Sequence, residues 1–181
     1  MKKNFKTILM IILLILFDQS IKIIISNNLM NKEFFILGDI VMFKPHLNTK
    51  YSWFNSLTNM GIGLLPHLIL NIAVILFSLI AFDFIINRYK DNTLVRCLFT
   101  FLYAGIFCSL IDKVFWGGSL DYIRLKGFFI FDLKDIYVSI FQAILIFTAI
   151  FNYKRFKKID EKVIFNEFKT YIKLKYLSKN I

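Results

Sequence analysis

Four apolar stretches, each long enough to cross a bilayer, leave this chain few ways to fold. They run over about residues 5–25, 66–87, 93–115 and 128–152. A run of roughly 20 apolar residues matches the hydrocarbon thickness as a helix, the one local structure that closes its own backbone hydrogen bonds there. Composition agrees: 57% of the 181 residues are hydrophobic and 22 are Phe, more than a soluble domain carries. A basic start followed by ILMIILLILF also fits a secretory leader, but Asp18 and Lys22 interrupt its second half and no small-residue cleavage pattern follows. The first stretch is therefore expected to be a retained span.

Between the first two spans, residues 26–65 alternate short apolar runs with Gly, Pro and Asn, which predicts short strands and turns. The expected fold class is a mainly α membrane protein: four transmembrane helices with a small β-rich extracytoplasmic platform between helices 1 and 2. Aromatics of the platform, among them Phe34, Phe35, Phe43, Tyr51 and Phe54, suit a membrane–water boundary. Pro66 falls in the first turn of the second span, where its missing N–H costs nothing. Asp83 and Arg88 near that span's end are expected to pair, and residues 88–92 read as a tight basic turn. His46 and His67 lack metal-ligand neighbours at useful spacing, and Cys97 and Cys108 share one apolar segment. Structural roles are expected for the histidines, and neither a disulfide nor a metal site for the cysteines.

The net charge of +11 could suggest nucleic acid, but the basic residues follow a membrane rule. Lys2, Lys3 and Lys6, then Arg88, Lys90 and Arg96, then nine of the 23 Lys and Arg from Lys154 onward fall on one side of a four-span layout. The positive-inside bias thus predicts both termini in the cytoplasm and no nucleic-acid partner. The same layout sends Asp112, Asp135, Lys22 and the platform toward the outer face. Residues 1–158 are expected to form the membrane domain and 159–181 a basic tail. There Ile164, Phe168, Tyr171 and Ile172 recur at helical spacing, as in an interfacial helix.

The chemistry concentrates between Ala104 and Asp135, a stretch holding four Asp of a chain with only 12 Asp plus Glu. Carboxylates at membrane depth are costly and mark function. Asp112 closes the third span and Asp135 opens the fourth, so a short connection lets them face each other. Two such carboxylates can activate a water and protonate a leaving group without a metal, although Asp121 and Asp132 leave a metal site as a lesser reading. Asp18 and Lys22, four apart, share a helix face. Either they form an ion pair near the helix end or their face lines a polar site.

These residues resemble the lipoprotein signal peptidase (signal peptidase II) family, four-span aspartic endopeptidases of bacterial membranes. The family's first motif, Asp followed four positions later by Lys, stands here as DQSIK, Asp18 to Lys22. Its platform motif is matched weakly by NTKYSW, Asn48 to Trp53. The motif closing span three appears as CSLIDK, Cys108 to Lys113. LDY, Leu120 to Tyr122, then stands for a Val-Asp-Phe element, and FDLKD, Phe131 to Asp135, opens span four. The resemblance covers about residues 5–155. It implies that Asp112 and Asp135 are catalytic and that Asp18, Lys22, Asn48 and Asp121 support the site. The substrate it implies is a prolipoprotein carrying a diacylglyceryl-modified Cys, cleaved just before that Cys in the bacterial inner membrane, with no cofactor. A substrate of that kind enters sideways from the membrane lipid.

The chain also departs from the pattern: Cys108, Ser109 and Lys113 replace Gly, Asn and Arg, Asp132 and Lys134 replace Asn and Ala, and Lys50 replaces the platform Gly. Ser109, Lys113 and Asp132 are thus expected around the site in altered form, as in a divergent member. Lys for Arg loses the planar fork, and Asp132 adds a negative charge that Lys134 or Lys113 could offset. Two other readings compete: a catalytically silent relative that binds lipidated peptides or a membrane partner, and a small proton-coupled or ion-conducting protein. The apolar inner halves of the spans speak against the last.

Overall fold

The structure is a computed structural model and describes residues 2–89, 93–157 and 160–177. Four long helices dominate it: α1 (Lys2–Asn28), α3 (Leu64–Tyr89), α4 (Thr93–Ile111) and α5 (Leu133–Phe151), with a six-residue α2 (Trp53–Thr58) between the first two. α4 runs on into a π turn, Asp112–Trp116. All four are long and apolar enough to cross a membrane, which makes the chain a multi-pass membrane protein. Their outward faces carry Ile8, Leu13, Leu70, Phe77 and Ile146, all exposed. Water would penalise those side chains, and lipid accepts them.

α4 is the central helix, packed by α1, α3 and α5. Its Ala104 and Cys108 are fully buried and four apart, so they stack on one face against Leu14 and Ile15 of α1 and Tyr137 of α5. Small residues at such a seam let helix backbones approach closely. Gly105 shows how closely: a Cβ there would lie 2.7 Å from the Val138 side chain.

At one end of the bundle sits a four-stranded antiparallel sheet in the order β1-β2-β3-β4. β1 (Phe34–Leu37) and β2 (Val41–Asn48) come from the expected platform, but β3 (Ser119–Leu125) and β4 (Ile130–Phe131) come from the connection between α4 and α5. Half of the platform therefore lies outside residues 26–65, and α5 begins five residues later than the expected 128. The chain enters β3 through Gly117, at φ +66°, and Gly118, where a Cβ would lie 2.8 Å from the Asn48 carbonyl oxygen. Side chains alternate across β3. Leu120 and Tyr122 pack on Ile25 and Phe43 in a small core, while Ser119 and Asp121 point the other way, also buried.

The loop after β2 is held by polar side chains. Asn55 donates to the carbonyls of Lys50 and Ile62, each at 2.8 Å, and His67 spans the Gly63 carbonyl and Ser52 Oγ. His67 is structural, as expected.

At the opposite end lie α6 (Tyr153–Phe156) and α7 (Glu161–Ile172), followed by a π turn, Lys173–Leu177. α7 is helical as expected, but it docks on α3: Phe168 meets Phe77 and Phe84 edge-on. Arg88 pairs with Glu167, and Asp83 is held by Lys175, Tyr171 and Tyr176. The expected Asp83–Arg88 pair is thereby replaced by two ties to the tail. Residues five apart on a helix point about 140° away from each other, so the pairing within α3 was geometrically poor. The part of the expected turn at residues 90–92, and tail residues 158, 159 and 178–181, lie outside the described residues.

Candidate active site

Helices that alternate in direction bring the end of α1, the end of α4 and the start of α5 to the sheet end of the bundle. The polar residues of those three ends and of β3 converge there. Lys22 is the first hub. Its Nζ lies 3.0 Å from Asp18, 2.7 Å from Asp112 and 2.6 Å from Asp132, three carboxylates for the three N–H donors of an ammonium. All four side chains are 0% exposed. Gln19, beside Asp18, donates to Asp18 at 2.9 Å and to Asp112 at 3.2 Å, and its own carbonyl oxygen accepts from Trp116 Nε1 at 3.0 Å.

Lys134 is the second hub. Its Nζ lies 2.6 Å from Asp132, 3.4 Å from both Asp112 and Asp121, and 3.9 Å from Asp135, and it also bonds Ser119 Oγ. Asp132 Oδ2 therefore joins the two lysines. Ser119 Oγ in turn donates to Asp121 at 2.6 Å.

Asp135 is fixed by a capping box at the start of α5. Asp132 Oδ1 accepts from the Asp135 backbone N–H and Asp135 Oδ2 accepts from the Asp132 N–H, both at 3.2 Å. This is the reciprocal satisfaction of orphan donors that favours Asp at a helix start. The two carboxylates picked out as catalytic differ in exposure. Asp112 is sealed, whereas the Asp135 side chain is 44% exposed.

Asp18, Lys22, Asp112, Asp121, Asp132 and Asp135 are thus brought together. Ser109 and Lys113 form a neighbouring pair: Lys113, next to Asp112 in the π turn, donates to Ser109 Oγ one turn back on α4 at 2.6 Å, and Asn71 of α3 donates to the same oxygen at 3.3 Å. The negative charge of Asp132 is offset by Lys134 and Lys22, while Lys113 turns to Ser109. Asn48 lies at the end of β2 opposite Ser119, and its side chain closes the platform loop by accepting from the Lys50 N–H at 3.0 Å and Ser56 Oγ at 3.2 Å.

Gln19 and Ser119 join the cluster without having been singled out in the sequence. Gln19 follows Asp18 directly in DQSIK, and Ser119 is two residues before Asp121 on the same strand face; each signal emerges only once its neighbour is placed in the cluster. Lys134 stood out as a departure, but its ties to four carboxylates did not.

Two carboxyl groups of the cluster, Asp121 and Asp132, lie outside the spans. Burial raises the proton affinity of Asp121, against the pull of Lys134. Burial would do the same to Asp132, but Lys134 and Lys22 outweigh it and hold that carboxyl below the usual carboxylate range. Asp121, Asp132 and Asp135 each present an oxygen within 4.8 Å of the others, close enough for an ion, and the Lys134 ammonium supplies positive charge to all three.

The fold and this cluster define a class: a multi-pass membrane protein with carboxylates gathered at one end of its spans, against a sheet. The profile of signal peptidase (SPase) II matches residues 10–151, and the chain belongs to that family. Three lipoprotein signal peptidases are similar. That of Pelagibacter ubique is 30% identical over 165 residues, 88% of this chain and 96% of its own. That of Mesorhizobium japonicum is 25% identical over 81% of this chain and 86% of its own. The match with the Fusobacterium nucleatum enzyme is 31% identical over 90 residues, about half of each protein (49% and 54%). Two solved bacterial membrane enzymes share the fold: one superposes with a TM-score of 0.66 at 21% identity over 86% of this chain and 93% of its own. The other has a TM-score of 0.62 at 23% identity over 80% and 92%.

Proposed function

We propose that this chain is an aspartic endopeptidase that removes signal peptides from diacylglyceryl-modified prolipoproteins, cleaving before the lipidated Cys. The observation that carries the reading is the asymmetry of Asp112 and Asp135, one sealed behind Lys22 and the other opening to the surface at the sheet end of the spans. Membership of the signal peptidase II family supports the substrate class.

In this mechanism Asp135, the reachable carboxylate, takes a proton from a water as its oxygen adds to the scissile carbonyl. The tetrahedral intermediate collapses as Asp135 returns that proton to the leaving nitrogen and the C–N bond breaks. No acyl-enzyme forms. Asp112 stays an anion, oriented by Lys22 and Gln19, and helps to position the water. Placing this chemistry at a span end lets a lipid-bearing substrate arrive from the bilayer while water arrives from the boundary. The positive-inside bias sets both termini in the cytoplasm and this end at the outer face.

The reading is tested with purified protein in detergent, by gel shift on a prolipoprotein with and without its diacylglyceryl group. Cleavage of the modified precursor alone is expected. Equal cleavage of both would overturn the lipid requirement. A catalytically silent binder is the second reading, favoured by the lysine contacts on both carboxylates; it predicts retention of the modified precursor with no cleavage.

A further inference from the structure

Among the described residues, Lys134 is a cation within 4 Å of both carboxylates of the proposed pair, 3.4 Å from Asp112 and 3.9 Å from Asp135. Two carboxylates this close to a common point need either a shared proton or a positive charge between them. Here Nζ occupies that point. Lys134 follows the cap residue Asp132 by two positions and precedes Asp135 by one, so the capping box that fixes Asp135 also fixes the lysine backbone. Its head is then tied down by Asp132 at 2.6 Å and by Ser119, and Asp132 is fastened in turn to Lys22 at 2.6 Å. A flexible four-carbon side chain is thereby held in one buried place.

We propose that Lys134 is a positioning residue of the site. Its ammonium stands between Asp112 and Asp135, where a shared proton would otherwise be needed, and holds the two carboxyl groups at working separation, with Asp132 as the tether that keeps it there. The inference rests on the peptidase reading above. It assigns the pair a division of labour: Asp135 carries the proton from water to leaving nitrogen, while Asp112 and Lys134 keep their charges throughout. The charges facing Lys134 come from every element around it. They are Asp112 with its neighbour Lys113 at the end of α4, Asp121 on β3, Asp18 and Lys22 on α1, and Asp132 and Asp135 on its own turn.

The test uses full-length protein in lipid nanodiscs and compares wild type with Lys134→Met, Lys134→Arg and the double variant Asp132→Asn/Lys134→Ala. Two readouts are taken against pH: kcat/KM on the modified precursor, and the carboxyl C=O stretch by difference infrared spectroscopy, which needs no turnover. In Lys134→Met the acid limb of the rate profile and the carboxyl titration are expected to move up by about one to two pH units. An alkaline fall should also appear as the shared proton is lost. Lys134→Arg should keep the wild-type limb. The double variant removes lysine and tether together; because the Asp132 anion goes with the cation, a smaller shift in the same direction is expected if Lys134→Met fails to fold. An unmoved limb and an unmoved titration in whichever of these variants folds would overturn the role of Lys134 and leave the peptidase standing. No cleavage by folded wild type, with the infrared shift intact, would overturn the peptidase and leave the lysine's hold on the carboxylates.

Discussion

The molecule carries two aspartate–lysine clusters at opposite ends, and they behave as different materials. At the sheet end Lys22 and its three carboxylate partners are 0% exposed. At the tail end Lys175 and Asp83 are 44% and 33% exposed, joined by the Tyr171 and Tyr176 hydroxyls. The chemistry is shared and the solvent is not. Exposed pairs contribute little, about 0–1 kcal/mol, because water competes for both partners. Removing one partner of a buried pair leaves a charge with nothing to face and costs about 3–5 kcal/mol. A chain that keeps four buried Asp around two Lys has therefore kept something other than stability, and the tail cluster works as a fastening.

That contrast can be broken at several points. The largest effect is expected from Asp112→Asn and Asp135→Asn, each of which should lower cleavage by about 10²–10⁴ while the protein still inserts and folds. Next is Asp132→Asn, which takes the shared partner from both lysines. A loss of about 3 kcal/mol in unfolding in detergent is expected, and adding Lys134→Ala should recover part of it. The sign of the pH dependence is fixed by the same contacts. Asp132 titrates below its unfolded value, so its contribution is fully present above the ordinary carboxylate range near pH 4. It is lost only as the pH falls through the lower folded value. Acid unfolding of Asp132→Asn should show less of that steep low-pH loss. Ser109→Asn should change turnover on a generic precursor by less than about threefold. Lys113 then keeps a polar partner, and a large loss would show that the neighbouring pocket depends on the small hydroxyl. The smallest effect is expected at the other end, where Asp83→Asn should cost under about 1 kcal/mol and leave cleavage unchanged.

Much of this was legible in the sequence where the physics is local. Span lengths follow from apolar runs, and Asp18 and Lys22 share a face because they are four apart. Other parts depended on partners far along the chain. SLDYIRL, Ser119 to Leu125, is a short strand whose pairing with Val41–Asn48 bridges more than 70 residues, so it read as a connection and half of the sheet was missed. Asp83 found its cation in Lys175 across a similar distance, where a neighbour in sequence had been expected. Lys134 could be noticed as a departure, but which carboxylates it would meet depended on α1 and α4 ending, and β3 beginning, at the same place. The two catalytic candidates themselves were found by position, at facing ends of consecutive spans.

The central claim is that Asp112 and Asp135 together perform the hydrolysis. It is tested most directly by incubating wild type, Asp112→Asn and Asp135→Asn, matched for monodispersity and melting behaviour, with a diacylglyceryl-modified prolipoprotein and following release of the signal peptide. Cleavage by wild type, lowered by about 10²–10⁴ in each folded variant, is the predicted result. Full cleavage by either variant would contradict the account, because an amide at 135 cannot carry a proton from water to the leaving nitrogen and an amide at 112 removes the anion that positions the water.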